Sequence, residues 1–219
     1  MNDTERKIKS YDGNGITVTF EAARCYHAKE CVRGLPEVFD IDKRPWIQPQ
    51  HADADRLAQV VRRCPSGALK FRRDNGENET EPERNVVTVT AAGPIHVRGK
   101  FTVESDAPLN EWRMALCRCG LSKNKPHCDG SHFEKFDDDG RCPKASGEAA
   151  RVDQNVECTA PVTLKPLPDG PVLCRGPVEI RNASGETIFV GEQAAFCRCG
   201  ASSRKPFCDG SHGAVGFKS

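Results

Sequence analysis

The chain is short of almost everything that a large apolar core or a membrane anchor requires. Only 6% of its 219 residues are aromatic and 37% are hydrophobic, so each small unit has a thin core and is expected to need metal to fold. A bias of charge is missing too. Lys plus Arg number 32 against 31 Asp plus Glu, a net charge of +1, so there is no bulk field to hold nucleic acid or an anionic membrane. The first stretch, MNDTERKIKSYDGNGITVTFEAAR, contains no long apolar run, and neither signal peptide nor membrane anchor is expected. Ser-His-Asp arrangements, Gly-rich phosphate loops and nucleotide fingerprints are also lacking. Substrate chemistry by this chain alone, and so an enzyme, is not expected.

Cysteine is what the chain has in quantity. Twelve cysteines without a secretion signal read as metal-bound thiols in a reducing cytoplasm rather than as a disulfide scaffold. Six of them fall in two nearly identical stretches. Residues 117–132 read CRCGLSKNKPHCDGSH and residues 197–212 read CRCGASSRKPFCDGSH, an offset of eighty. Cys117, Cys119, Cys128 and His132 form one set, and Cys197, Cys199, Cys208 and His212 the other. Three soft thiolates and one imidazole suit zinc or an iron–sulfur cluster, so each copy closes one four-ligand site. Gly120 and Pro126, matched by Gly200 and Pro206, favour a wrapping loop. Asp129 and Asp209 are expected to cap a short helix whose amides face an anionic cluster.

At these residues the sequence resembles the CDGSH iron–sulfur family. Both copies match its pattern in full, with Ser122 and Ser202 in the hydroxyl position. The resemblance implies a [2Fe-2S] cluster in each copy, held by the two ligand sets above; a zinc knuckle would use the same residues. One imidazole in place of a thiolate removes a negative charge, which raises the reduction potential. It also makes each cluster labile as pH falls, because a protonated ring cannot ligate.

The first domain is expected over residues 1–73. Gly15 to Phe20 alternates as a strand, and Ala68 to Phe71 reads as a closing strand. A helix from Asp53 or Asp55 places Leu57, Val60, Val61 and Cys64 on one face and stops at Pro65. Cys25, Cys31 and Cys64-Pro65 resemble the divergent single-cluster bacterial ferredoxins. Ala28 stands where a middle ligand is usual. The resemblance implies a [3Fe-4S] cluster on three cysteines, or a [4Fe-4S] cluster with His27 as fourth ligand; otherwise the three thiols are small buried residues.

Residues 74–84, DNGENETEPER, form an acidic linker. Two CDGSH repeats, 85–140 and 161–219, follow around a connection at 141–160. Similarity reaches upstream, GPIHVRG at 93–99 matching GPVLCRG at 170–176. Val87 to Thr90, Phe101 to Glu104, Val162 to Lys165 and Val178 to Arg181 read as strands. The expected fold is α+β: a small ferredoxin-like domain followed by two β-rich repeats. Single-motif relatives are homodimers, so the resemblance implies an internal pseudo-dimer in a monomeric chain.

Spare residues align away from the ligand sets. His96 and Cys174 fall on strands, His127 aligns with Phe207, Cys142 and Cys158 read as free thiols, His51 as solvated, and Trp46 as cover for the first core. Arg118, Lys123, Lys125, Arg198, Arg204 and Lys205 read either as a solvated loop face or as charges that offset a cluster and steer an acidic redox partner. Together these features imply single-electron transfer to a redox partner protein. Storage of clusters and their transfer to an apo-protein acceptor is the alternative.

Overall fold

The computed structural model describes residues 7–105, 109–142 and 152–219. The chain divides into two compact units, Met1–Thr80 and Glu81–Ser219, the break falling within the acidic stretch. It is mostly β, with a few short helices.

In the first unit, β1 (Ile8–Gly13) and β2 (Ile16–Glu21) form a hairpin, and β3 (Leu69–Arg73) pairs with the other edge of β2. The hairpin closes through Asn14 and Gly15, whose φ of +74° is the left-handed conformation such a tight turn needs. The sequence signalled β2 and β3. It did not signal β1, whose side chains are mostly exposed and carry no alternating pattern. Helix α1 (Glu30–Gly34) occupies the loop after Cys25. Helix α2 (Ala54–Val61) starts as its residues foretell, the Asp53 carboxylate accepting from Arg56 N at 2.8 Å. It ends at Val61, before Pro65, so Cys64 sits in the following turn. Leu57, Ala58, Val60 and Val61 bury against Ile16, Val18, Leu69 and Phe71. Trp46 covers this core edge-on to Phe20, ring centroids 4.9 Å apart.

The second unit is one six-stranded sheet shared by both repeats. Its strands are β4 (Val86–Val89), β5 (Ile95–Val103) and β6 (Leu109–Leu116), then β7 (Val162–Pro166), β8 (Val172–Arg181) and β9 (Thr187–Phe196). The pairing is reciprocal. β4 runs antiparallel to β5 of its own repeat and parallel to β8 of the other, while β7 runs antiparallel to β8 and parallel to β5. One strand can therefore serve both repeats only if β5 and β8 bend. Each does so at the last glycine of its GPxxxRG stretch: the register shifts between Arg98 and Phe101 and between Arg175 and Val178. Gly99 has φ +147° and lies against Asn85 Cα, and Gly176 has φ +118°, where a Cβ would stand 2.7 Å from Pro161 O. The fully buried Asn85 pins this junction, donating to Ala160 O and Pro177 O and accepting from Lys100 N.

β5 and β8 thus each join a glycine-rich stretch to the extended stretch that follows it, continuous through the bend. β6 and β9, which the sequence did not signal, deliver the chain directly into the two cysteine loops. Val97, Phe101, Met114, Leu116, Val162, Leu164, Cys174, Val178 and Phe196 share one core.

Candidate metal centres

Each cysteine loop folds back on the strand that feeds it. Cys117 N donates to Pro126 O and Cys128 N to Ala115 O, both at 2.8 Å; Cys197 N and Cys208 N make the same bonds to Pro206 O and Ala195 O. This two-rung ladder sets the first two cysteines beside the third cysteine and the histidine. Ser122 and Ser202, buried, close the loop between: each hydroxyl donates at 2.7 Å to the carbonyl before the third cysteine, His127 O or Phe207 O.

The ligand side chains lie in pairs. Cys117 Sγ is 3.8 Å from Cys119 Sγ, and Cys128 Sγ is 3.3 Å from His132 Nδ1. In the second repeat the distances are 3.5 Å for Cys197 and Cys199 and 3.4 Å for Cys208 and His212 Nδ1. A metal about 2.3 Å from each sulfur gives a tetrahedral edge of about 3.8 Å, so each pair fits two ligands of one ion. Among the described residues, no group of three or more His, Cys, Asp or Glu side chains gathers where it could hold a single ion.

Backbone amides point at the sulfurs: Leu121 N at Cys119 Sγ, Ala201 N at Cys199 Sγ and Gly210 N at Cys208 Sγ, all within 3.5 Å. The thiol of Cys119 hydrogen-bonds Cys117 and pulls its pKa down, whereas burial pushes Cys128 up to about 12. Burial likewise lowers the pKa of His132, with the Arg118 charge adding to it and Asp129 opposing it.

The aspartates act differently from the cap expected of them. Asp129 accepts from Ser131 N and also reaches back to Lys123 N at 2.8 Å; Asp209 does the same with Ser211 N and Ser203 N. A helix, α3 (Ser211–Ala214), forms only in the second repeat, and its cap is Gly210. Repeat one makes a turn there.

Arg118 and Arg198, each between two cysteines, are buried at 1% and 4% exposure, not part of a solvated loop face. Arg118 Nε donates to Gly93 O, Nη2 to Thr90 O, and Nη1 pairs with Asp138; its guanidinium lies 4.8 Å from the Phe136 ring centre. Arg198 donates to Gly170 O, Leu167 O and Ser219 Oγ, over Phe217. Each arginine thus ties its loop to the strand turn and to the tail of its own repeat. Their matched positions were visible in the sequence, but their partners, far along the chain, were not. Lys125 and Lys205 are half-buried and donate to Ser122 O and Ser202 O, while Lys123 and Arg204 face solvent.

The two loops meet. A Cβ on Gly120 would stand 2.7 Å from Cys199 O, and one on Gly200 2.6 Å from Cys119 O, with both glycines at positive φ.

In the first unit, Cys25, Cys31 and Cys64 line one cavity together with Phe20, Ala28, Trp46 and Pro65; His27 does not line it. Burial pushes Cys31 up to about 12, and the charge of the neighbouring Cys64 adds to the shift; burial raises Cys25 as well. Thiols so placed become thiolates readily only when a metal replaces the proton. The remaining candidates lie elsewhere. His96 is on β5, Cys174 is buried on β8, and His127 bridges to Leu116 as Phe207 does to Phe196. Exposed His51 Nδ1 is 3.0 Å from Glu37 O; the thiols of Cys142 and Cys158 donate to Gly140 O and Val156 O.

Residues 11–74 match the family described as "Divergent 4Fe-4S mono-cluster". Residues 92–133 and 169–213 match "Iron-binding zinc finger CDGSH type". Two curated relatives are each called "Uncharacterized protein YjdI", from Escherichia coli K12 and from E. coli O157:H7. Each is 42% identical over 64 residues, covering 29% of this chain and 84% of the relative. No solved structure matches.

Proposed function

We propose that this chain, which belongs to the divergent 4Fe-4S mono-cluster and CDGSH-type iron-binding families, is an electron carrier with three iron–sulfur sites. It would be a carrier rather than an enzyme. That it binds iron–sulfur clusters follows from both families. The finer reading rests above all on the pairing of the ligands. Two pairs per repeat, each a tetrahedral edge apart, with no three side chains converging on one ion among the described residues, suit a binuclear [2Fe-2S] site better than a zinc knuckle.

Cys117, Cys119, Cys128 and His132 would hold one cluster, and Cys197, Cys199, Cys208 and His212 the second. Cys25, Cys31 and Cys64 would hold a [3Fe-4S] or [4Fe-4S] cluster in a ferredoxin-like unit. The clusters, when bound, supply one-electron redox chemistry. The chain's own residues set its conditions: amides aimed at the sulfurs and, in the second repeat, the buried Arg198 offset negative charge and favour the reduced form. Reciprocal strand pairing and the touching loops support an internal pseudo-dimer of repeats in a monomeric chain. The carrier would be cytoplasmic and serve a redox partner protein; among the described residues no helix is long and apolar enough to cross a membrane.

Iron, zinc and acid-labile sulfide on anaerobically purified protein, followed by stepwise reduction and reoxidation, test this reading. About seven irons and about eight sulfides are expected, or about eight of each if the first unit holds [4Fe-4S]. Zinc without sulfide would overturn it.

A second reading, donation of clusters to an apo-protein acceptor, is favoured by one observation. His212 is only partly buried while its counterpart His132 is 4% exposed.

A further inference from the structure

The two CDGSH-type sites share ligands, loop ladder and arginine, yet their surroundings differ. Every histidine and cysteine of the first set is buried: Cys117 at 1% exposure, Cys119 at 9%, Cys128 at 2% and His132 at 4%. In the second set only Cys197 is buried, and Cys199, Cys208 and His212 are all partly open to solvent. One difference lies just beyond the motif. Phe133 follows His132 and lays its ring against the imidazole, centroids 4.3 Å apart, while the position after His212 is Gly213, with no side chain to cover the ring. A Cβ on Gly213 would meet nothing within 4 Å. The tail beyond differs in the same sense: Arg118 is tied down by the Asp138 carboxylate, Arg198 by the neutral Ser219 hydroxyl.

We infer that the repeats divide the work: the site of Cys197, Cys199, Cys208 and His212 is the exchange site, which yields its iron first, and the Phe133-covered site is the retained one. This rests on the cluster reading of the proposed function. Removal of iron from such a site needs an incoming donor to reach the metal as a protein ligand leaves. Ligand substitution of this kind moves no electrons. With a carboxylate chelator, iron leaves as its chelate, sulfide leaves protonated, and thiolates and imidazole stay on the protein. Cover over the ligands is therefore what sets the order, since the donor atoms are the same in both repeats. Phe133 acts as a positioning and covering residue and does not itself ligate.

The full-length, cluster-loaded chain is treated anaerobically with EDTA, samples are alkylated with iodoacetamide at intervals, and modified cysteines are mapped by peptide mass spectrometry beside iron and sulfide counts. Cys199 and Cys208 should become alkylated severalfold faster than Cys119 and Cys128. Phe133→Gly should bring Cys128 and Cys119 forward severalfold and leave Cys208 unchanged. Gly213→Phe should delay Cys208 and Cys199 and leave Cys128 unchanged. Phe133 is 52% exposed and Gly213 borders open space, so neither change disturbs the core. Simultaneous modification of both sets in a protein that carries iron and sulfide, or the reverse order, overturns the division of labour alone. Immediate alkylation of both sets in a protein without sulfide overturns the cluster reading and the division with it.

Discussion

Gly120 of the first repeat packs against the carbonyl of Cys199 in the second, so close that a Cβ would sit 2.7 Å from that oxygen. The mirror contact, Gly200 on Cys119 O, makes each cysteine loop a wall of the other.

Gly120→Ala should consequently cost more than its own backbone strain. A left-handed alanine alone costs roughly 1 kcal/mol, and displacing backbone in the opposite loop adds to it. The expected result is a lower melting midpoint together with iron lost from both repeats. Gly185→Ala provides the comparison: φ is +84° there too, but a Cβ meets nothing within 4 Å, so it should cost only the strain. Equal midpoints for the two variants would refute the coupling of the loops.

Asp138 should matter more than its sequence position suggests. It pairs with Arg118, whose side chain is 0% exposed, and stands 3.7 Å from Lys205 of the other repeat. Asp138→Asn leaves a buried guanidinium with carbonyls but no carboxylate, an expected loss of about 2 kcal/mol by denaturant unfolding. Asp169→Asn breaks a surface pair with Lys218, 83% exposed, and should change stability far less.

His96 predicts an acid weakness separate from the metal ligands. Burial pulls its pKa down to about 4 from an ordinary 6.5, so the unfolded chain binds the proton more readily than the folded one. Its neutral form is accommodated fully above pH of about 6.5, and stability is lost as pH falls from there toward about 4, to a limit of about 3 kcal/mol. His96→Leu, the residue found at the matching Leu173, should remove that slope. The check is the difference between wild type and variant unfolding free energies across this range; a constant difference would contradict it.

In the first unit, His27→Ala should leave the iron count unchanged, because His27 does not line the cysteine cavity. Ala28 does line it. Ala28→Cys should place a fourth thiol there and raise iron per chain by about one where the unit holds a three-iron cluster. Iron lost on replacing His27 would return it to the ligand set.

The cysteine loops, the doubled motif, α2 and the strands nearest the glycine-rich stretches were legible because each depends on local chemistry. Asp53 caps whatever follows it, and Leu57, Val60 and Val61 align at helical spacing in any context. β1, β6 and β9 escaped notice for a physical reason. Edge strands such as β1 with exposed faces need no apolar alternation, and β9 mixes buried and exposed residues irregularly around its bends. The solvated reading of Arg118 and Arg198 failed because an arginine's burial depends on carbonyls supplied from Thr90, Gly93, Leu167 and Gly170, well upstream.

By itself the sequence determined the chemistry: which thiols and imidazoles recur at fixed spacing, and that two such loops exist. Spacing within a short loop limits which atoms can share a metal, whatever surrounds it. Tertiary structure alone decided that the loops press on each other, that Asp138 neutralises Arg118, and that the Phe133 ring lies against one imidazole. Those relations belong to surfaces assembled by long-range strand pairing, where contact depends on shape and burial rather than on neighbours in the chain.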